Sequence, residues 1–91
     1  KAKTKNQDTY YKLLQELAIL HMRAGNLQQA KAKLDSVDSY YQSTARLDNV
    51  TYASLLLDLG RYHQLMGEYP LAEKDIRASI SLYQKYAGDK S

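Results

Sequence analysis

Hydrophobic residues recur at intervals of three and four in two long segments, and this spacing predicts amphipathic helices. The first stripe consists of Tyr10, Leu13, Leu14, Leu17, Ala18, His21 and Ala24. The second stripe consists of Tyr52, Leu55, Leu56, Leu59, Gly60, His63 and Met66. A glycine, Gly25 or Gly67, soon follows each stripe, and glycine ends a helix in the left-handed conformation without steric cost. Each segment therefore predicts a helix that packs through its stripe.

A second apolar stripe follows each glycine after a single residue. The two stripes are Leu27, Ala30, Leu34, Val37 and Tyr41, and Tyr69, Ala72, Ile76, Ile80 and Tyr83. Asn26 suits a helix N-cap, and Pro70 falls in a first turn, where its missing N–H costs little. Two-residue turns hold successive helices antiparallel. The prediction is an all-α fold of two tandem helix-turn-helix units, with four antiparallel helices.

The unit boundaries follow from these helices. Residues 1–6 are predicted to form a basic flexible tail, and residues 88–91 a second tail. The first unit is predicted at 7–44 and the second at 49–87, joined by a connector at 45–48 in which Asp48 suits an N-cap.

The chain repeats itself at a shift of 42 residues. When residues 9–43 are placed on residues 51–85 without a gap, 11 of the 35 pairs are identical. The identical pairs include Leu13 with Leu55, His21 with His63 and Gly25 with Gly67. A random pairing would give about two identities, and a fixed period of this size indicates a repeat architecture.

The repeated positions resemble the tetratricopeptide repeat (TPR). In the first unit they are Leu17, Ala18, His21, Gly25, Leu27, Ala30 and Leu34; in the second they are Leu59, Gly60, His63, Gly67, Tyr69, Ala72 and Ile76. The departures are a histidine at the usual aromatic position, Ala18 in place of glycine, and a period of 42 rather than the usual 34. Longer second helices make the units similar to kinesin-light-chain repeats. The resemblance implies an α-solenoid fragment that serves as a protein-binding scaffold.

In the family that the chain resembles, the first helix of each unit lines a concave groove. The resemblance therefore implies a partner-binding groove made of Lys12, Gln15, Glu16, Ile19, Met22, Arg23, Ser54, Leu57, Asp58, Arg61, Gln64 and Leu65. Four of these residues are apolar and would anchor a peptide or a partner helix, or would pack against the neighbouring unit. Arg23 and Arg61 would add charged hydrogen bonds. Glu16 and Asp58 stand where a carboxylate clamp would place Asn or Arg, so no such clamp is predicted.

Composition and charge narrow the partner classes. The 91 residues suit one small domain, and 13 Lys and Arg against 10 Asp and Glu give a net charge of +3. Lys1, Lys3 and Lys5 account for that excess, so the body is balanced and does not form the basic stripe that nucleic acids need. No apolar stretch is long enough for a membrane span. The partner is thus expected to be a protein or peptide, with a cytoplasmic location favoured.

Catalytic and metal-binding chemistry is not predicted. Cysteine is absent, which excludes thiol nucleophiles and zinc ribbons. His21 and His63 have mainly apolar neighbours on their stripes and are interpreted as core histidines, not as metal ligands. Glu16 and Asp58 are equivalent in the repeat, but solvated or partner-facing carboxylates are the better interpretation than an acid/base pair. Most of the nine tyrosines are predicted to pack in the core, and no cofactor is expected.

The last helix presents apolar residues that no third unit would cover: Ile80, Leu82, Tyr83 and Tyr86. About three repeats are usually needed for a stable solenoid. The sequence therefore predicts a non-catalytic protein–protein interaction module that is part of a larger regulatory or signalling protein. The alternative is structural self-association, with homodimers formed through the exposed terminal helix.

Overall fold

Four α-helices make up the fold in a computed structural model that describes residues 2–44 and 50–86, with side chains from Gln7 onward. They are α1 (Ala2–Ala24), α2 (Leu27–Ser43), α3 (Val50–Leu65) and α4 (Tyr69–Tyr86). The predicted all-α architecture is confirmed. α1 begins within the range predicted as a tail, whereas the connector at 45–48 and the tail at 88–91 lie outside the described residues.

The α1–α2 and α3–α4 turns have the same backbone structure. Gly25 and Gly67 have φ of +85° and +78°, a conformation that glycine adopts without a Cβ clash. The next residue's N–H donates to a histidine carbonyl in both turns: Asn26 N to His21 O, and Glu68 N to His63 O, each at 2.8 Å. The glycine N–H also donates to the carbonyl three residues earlier, which completes a Schellman motif. The Asn26 side chain makes no capping hydrogen bond.

Neighbouring helices pack in pairs, and the pairs pack on each other. α1 packs on α2 and α3 on α4, while the two pairs meet mainly through α2 and α3, with a smaller contact between α1 and α3. Leu34, Val37 and Leu55 are the largest fully buried side chains, and all three lie on the two inner helices. The core therefore centres on the contact between the two pairs.

α1 packs inward through a different face from the one that the sequence predicts. It buries Gln15, Ala18 and Met22 and packs the half-buried Tyr11 and Leu14 against the core, whereas Tyr10, Leu13, Leu17 and Leu20 are exposed. The prediction that Tyr10, Leu13, Leu17 and Ala24 pack inward is wrong. The physical reason is that, among the described residues, α1 packs only on α2 and α3, and neither helix covers these side chains.

A close approach fixes the crossing of α3 and α4. A Cβ added to Gly60 would lie 2.6 Å from Ile76 Cγ1 and 3.3 Å from the Ala72 carbonyl oxygen. Both distances are shorter than ordinary van der Waals contact. Ala18, the equivalent residue in the first unit, is fully buried and keeps its Cβ.

Tyrosines divide between the core and the surface. Tyr40, Tyr41 and Tyr62 are buried, and the rings of Tyr11 and Tyr40 stack with their centroids 4.1 Å apart. The exposed tyrosines are Tyr10, Tyr69, Tyr83 and Tyr86. Tyr11 and Tyr52 are half-buried against the core. The prediction that most tyrosines pack in the core therefore holds for five of the nine and is wrong for the four exposed ones, which none of the described helices covers.

Candidate functional site

The surface between α1 and α3 carries two clefts that lie along the predicted groove. The first has a volume of about 330 Å³ and includes Lys12, Gln15, Glu16 and Ser54 in its lining. The second has a volume of about 480 Å³, and its lining is Ile19, Met22, Arg23, Arg61, Gln64 and Leu65. Ten of the twelve residues predicted for the groove therefore line one of these clefts. The other two, Leu57 and Asp58, are half-buried and buried.

The second cleft combines an apolar lining with positive charge. Met22 is buried, Ile19 is half-buried against the core, and Leu65 is exposed at the edge. Arg23 makes no ion pair with any described residue, and Arg61 Nη1 lies 3.3 Å from Asp58 Oδ1. Both arginine side chains are exposed at the end of the groove nearest the interhelical turns. This cleft can therefore accept an apolar side chain while the guanidinium groups face carboxylates.

A polar network joins α1 to α3 at the first cleft, where Gln15 and Ser54 are part of the lining. Gln15 Nε2 donates to Asp58 Oδ2 at 2.7 Å and lies 3.3 Å from Ser54 Oγ. Asp58 is only 3% exposed, so the interpretation of Asp58 as a solvated or partner-facing carboxylate is wrong. Its equivalent, Glu16, is exposed as expected. The difference arises because Asp58 is on an inner helix and Gln15 covers it.

Burial and the neighbouring side chains act in opposite directions on the pKa of the Asp58 carboxyl group. Loss of hydration raises the pKa of its carboxyl group, while the hydrogen bond from Gln15 and the charge of Arg61 oppose that change. The carboxylate thus depends on these two partners for its stability in the ionised form.

His63 lies at the edge of the α3–α4 contact rather than in the core. Its Nδ1 is 2.7 Å from Glu68 Oε1, and its Nε2 is 3.6 Å from Asp75 Oδ2. His21 is half-buried as well. The interpretation of both as core histidines is therefore wrong. In the first unit, Asn26 and Lys33 replace the two acidic residues, so the histidine environments differ although the histidines are equivalent in the repeat.

The face of α1 that carries Gln15 can be recognised from a helical spacing in the sequence. Tyr11, Gln15, Ala18 and Met22 are separated by four, three and four residues, which places them on one helix face. Gln15 is a polar residue in this series. Its burial depends on the hydrogen bond that it donates to Asp58, which is 43 residues away in the sequence. Its partner could not be identified from local periodicity.

The residues predicted for self-association lie in the last two turns of α4. Ile80, Tyr83 and Tyr86 are exposed, and Leu82 is half-buried. A hydrogen bond from Ser79 Oγ to the Ala53 carbonyl oxygen, at 2.7 Å, fixes α4 against α3. Tyr83 and Tyr86 follow Ser79 by four and seven residues, so they lie on the same side of the helix as Ser79, yet they are exposed.

In comparisons with known proteins, no family model, curated protein or solved structure matches the chain. Among the described residues, no helix has the length and apolar character needed to cross a membrane. Within the same part of the chain, no three His, Asp or Glu side chains are grouped to hold a metal ion.

Proposed function

We propose that this chain is a non-catalytic protein–protein interaction module that binds a peptide or partner helix in the groove between α1 and α3. The observation that carries the proposal is the second cleft, in which apolar side chains lie beside Arg23 and Arg61. The repeat pattern and the paired helices support the assignment as a TPR-like scaffold within a larger regulatory or signalling protein.

The chemistry of the cleft selects the partner class. An apolar side chain would displace water from Ile19, Met22 and Leu65, and the guanidinium groups would bind carboxylates next to that side chain. The preferred partner is therefore an amphipathic segment whose apolar residues are flanked by Asp or Glu. A basic segment would meet like charge at the same positions.

A peptide-binding measurement tests this function. The probes are two fluorescent amphipathic peptides with leucines on one face, flanked by glutamates in one peptide and by lysines in the other. We expect the glutamate peptide to bind in fluorescence anisotropy, and Arg23→Glu with Arg61→Glu to weaken it at least about tenfold. Arg77→Glu is the matched control, because Arg77 is an exposed arginine on α4.

Two results would contradict the proposal that the groove binds an acidic amphipathic peptide. One is equal binding of the glutamate peptide by the double variant and the original chain. The other is a peptide selection from a random library that yields no sequences in which acidic and apolar residues are combined.

Self-association is the second candidate function. The observation that favours it is the exposed apolar face of α4, where Ile80 is 51% exposed and Tyr83 is 40% exposed. Serine at both positions is expected to abolish oligomers and to leave the glutamate peptide bound. Charge reversal at Arg23 and Arg61 is expected to have the opposite effect.

A further inference from the structure

The contact between α2 and α3 shows how two units of this chain fit together. The Tyr41 and Tyr52 rings meet edge to face with centroids 6.3 Å apart. Gln42 Nε2 lies 3.4 Å from the Tyr52 hydroxyl oxygen, and that hydroxyl donates to Asp38 Oδ1 at 3.1 Å. On α3, Leu55 is fully buried and Leu59 is half-buried in the same region.

The residues that α3 contributes to this contact have exposed repeat equivalents on α1. A shift of 42 residues places Tyr52, Leu55 and Leu59 on three identical residues of α1, which are Tyr10, Leu13 and Leu17. Leu55 has no exposure, whereas Leu13 is 63% exposed. We call the exposed residues Tyr10, Leu13, Leu17 and Leu20 the head face.

The residues that α2 contributes to this contact have exposed repeat equivalents on α4. Tyr41 and Gln42 correspond to the identical residues Tyr83 and Gln84. Tyr41 is 3% exposed and Tyr83 is 40% exposed. We call the residues Ile80, Tyr83 and Gln84 the tail face. Five of the 11 identities in the repeat thus fall on positions of the inter-unit contact, including positions that are exposed at the two ends.

We propose that the tail face of one copy packs on the head face of the next copy, as α2 packs on α3 within the chain. Tyr83 then meets the Tyr10 ring of the next copy, and Gln84 reaches its hydroxyl group. Ile80 replaces Asp38, so an apolar contact with Tyr10 takes the place of one hydrogen bond. The inference rests on self-association, the second candidate function, and does not depend on what the groove binds.

A head-to-tail contact uses different surfaces on the two copies, so it leaves one head and one tail uncovered at the ends of every assembly that does not close into a ring. We therefore expect the mass of the chain, measured by light scattering or sedimentation, to keep rising with concentration beyond that of a dimer. A plateau at the dimer mass, or a monomer throughout the series, would overturn the proposal.

Two single variants separate this arrangement from a symmetric dimer. Leu13→Asp blocks the head face and Ile80→Asp blocks the tail face, and each is expected to weaken self-association at least about 100-fold. An equimolar mixture is expected to form a 1:1 dimer and nothing larger, because one intact tail meets one intact head. Leu65→Asp is the matched control, since Leu65 is an exposed leucine in the groove.

The outcomes distinguish the proposal from self-association in general. If Leu13→Asp still dimerises while Ile80→Asp does not, the chain self-associates through α4 alone and the head-to-tail arrangement is wrong. If the mixture of the two variants stays monomeric, the arrangement is also wrong. Circular dichroism of both variants checks that the helices form, as expected for substitutions at exposed positions.

Discussion

The two helical hairpins have the same turns but bury very different faces. The corresponding turn hydrogen bonds differ in length by no more than 0.1 Å, as in Gly25 N to Met22 O at 3.2 Å and Gly67 N to Gln64 O at 3.1 Å. In contrast, α2 buries Ala30, Leu34, Val37, Tyr40 and Tyr41, whereas its equivalent α4 buries only Ala72 and Ser79. Local structure thus follows from the repeated sequence, and burial follows from the position of each helix in the stack.

The same contrast holds for the other pair of equivalent helices. α3 lies between α4 and α2, and it buries the leucine face that α1 leaves exposed. Identical residues at equivalent positions are therefore expected to contribute differently to the free energy of unfolding. This comparison can be tested with matched substitutions in the two units.

The largest expected difference is between Leu55→Ala and Leu13→Ala. Leu55→Ala leaves a cavity in the core and is expected to lower the free energy of unfolding by about 2–5 kcal/mol. Leu13→Ala is expected to change it by less than about 0.5 kcal/mol, because Leu13 is on the surface of the single chain. Urea unfolding at a concentration where the chain is monomeric measures both values. Equal losses would mean that the head face is covered within the chain.

Gly60→Ala is the next test, and it addresses the closest approach between α3 and α4. The new Cβ would collide with Ile76 Cγ1, which we expect to outweigh the gain in helix propensity and to destabilise the chain by about 1–2 kcal/mol. Adding Ile76→Leu reproduces the Ala18 and Leu34 pair of the first unit. We expect this second change to restore most of the loss in thermal or urea unfolding. A Gly60→Ala variant as stable as the original chain would show that Ile76 moves aside without cost.

The helices are predictable from the sequence because their determinants are local. The repeated glycines fix the turns, and the spacing of three and four residues fixes the helical segments. The buried face of α2 is predictable as well. Leu34, Val37 and Tyr41 have the spacing of a buried face, and they are buried because α2 packs on a helix on each side.

The faces of α1 and the interior of the groove were not predictable in the same way. Leu13 and Leu17 have the periodicity of buried residues, and only the position of α1 at the end of the stack leaves them exposed. Gln15 and Asp58 are polar, and each is buried because the other supplies a hydrogen-bond partner from a distant part of the chain. Periodicity in one segment contains no information about such pairs.

The smallest expected effect is the contribution of the Asp58 carboxyl group to the pH dependence of the free energy of unfolding. Burial raises its pKa above the ordinary value of 3.8, so the folded chain holds this proton more tightly than the unfolded chain does. Stability from this group is fully present below about pH 3.8 and is lost as pH rises through the folded pKa. Relative to Asp58→Asn, the original chain should therefore lose stability with rising pH across this window, as measured by urea unfolding at several pH values. Glu16→Gln removes the exposed carboxylate at the equivalent position, and the same trend in both variants would assign it to general charge rather than to burial.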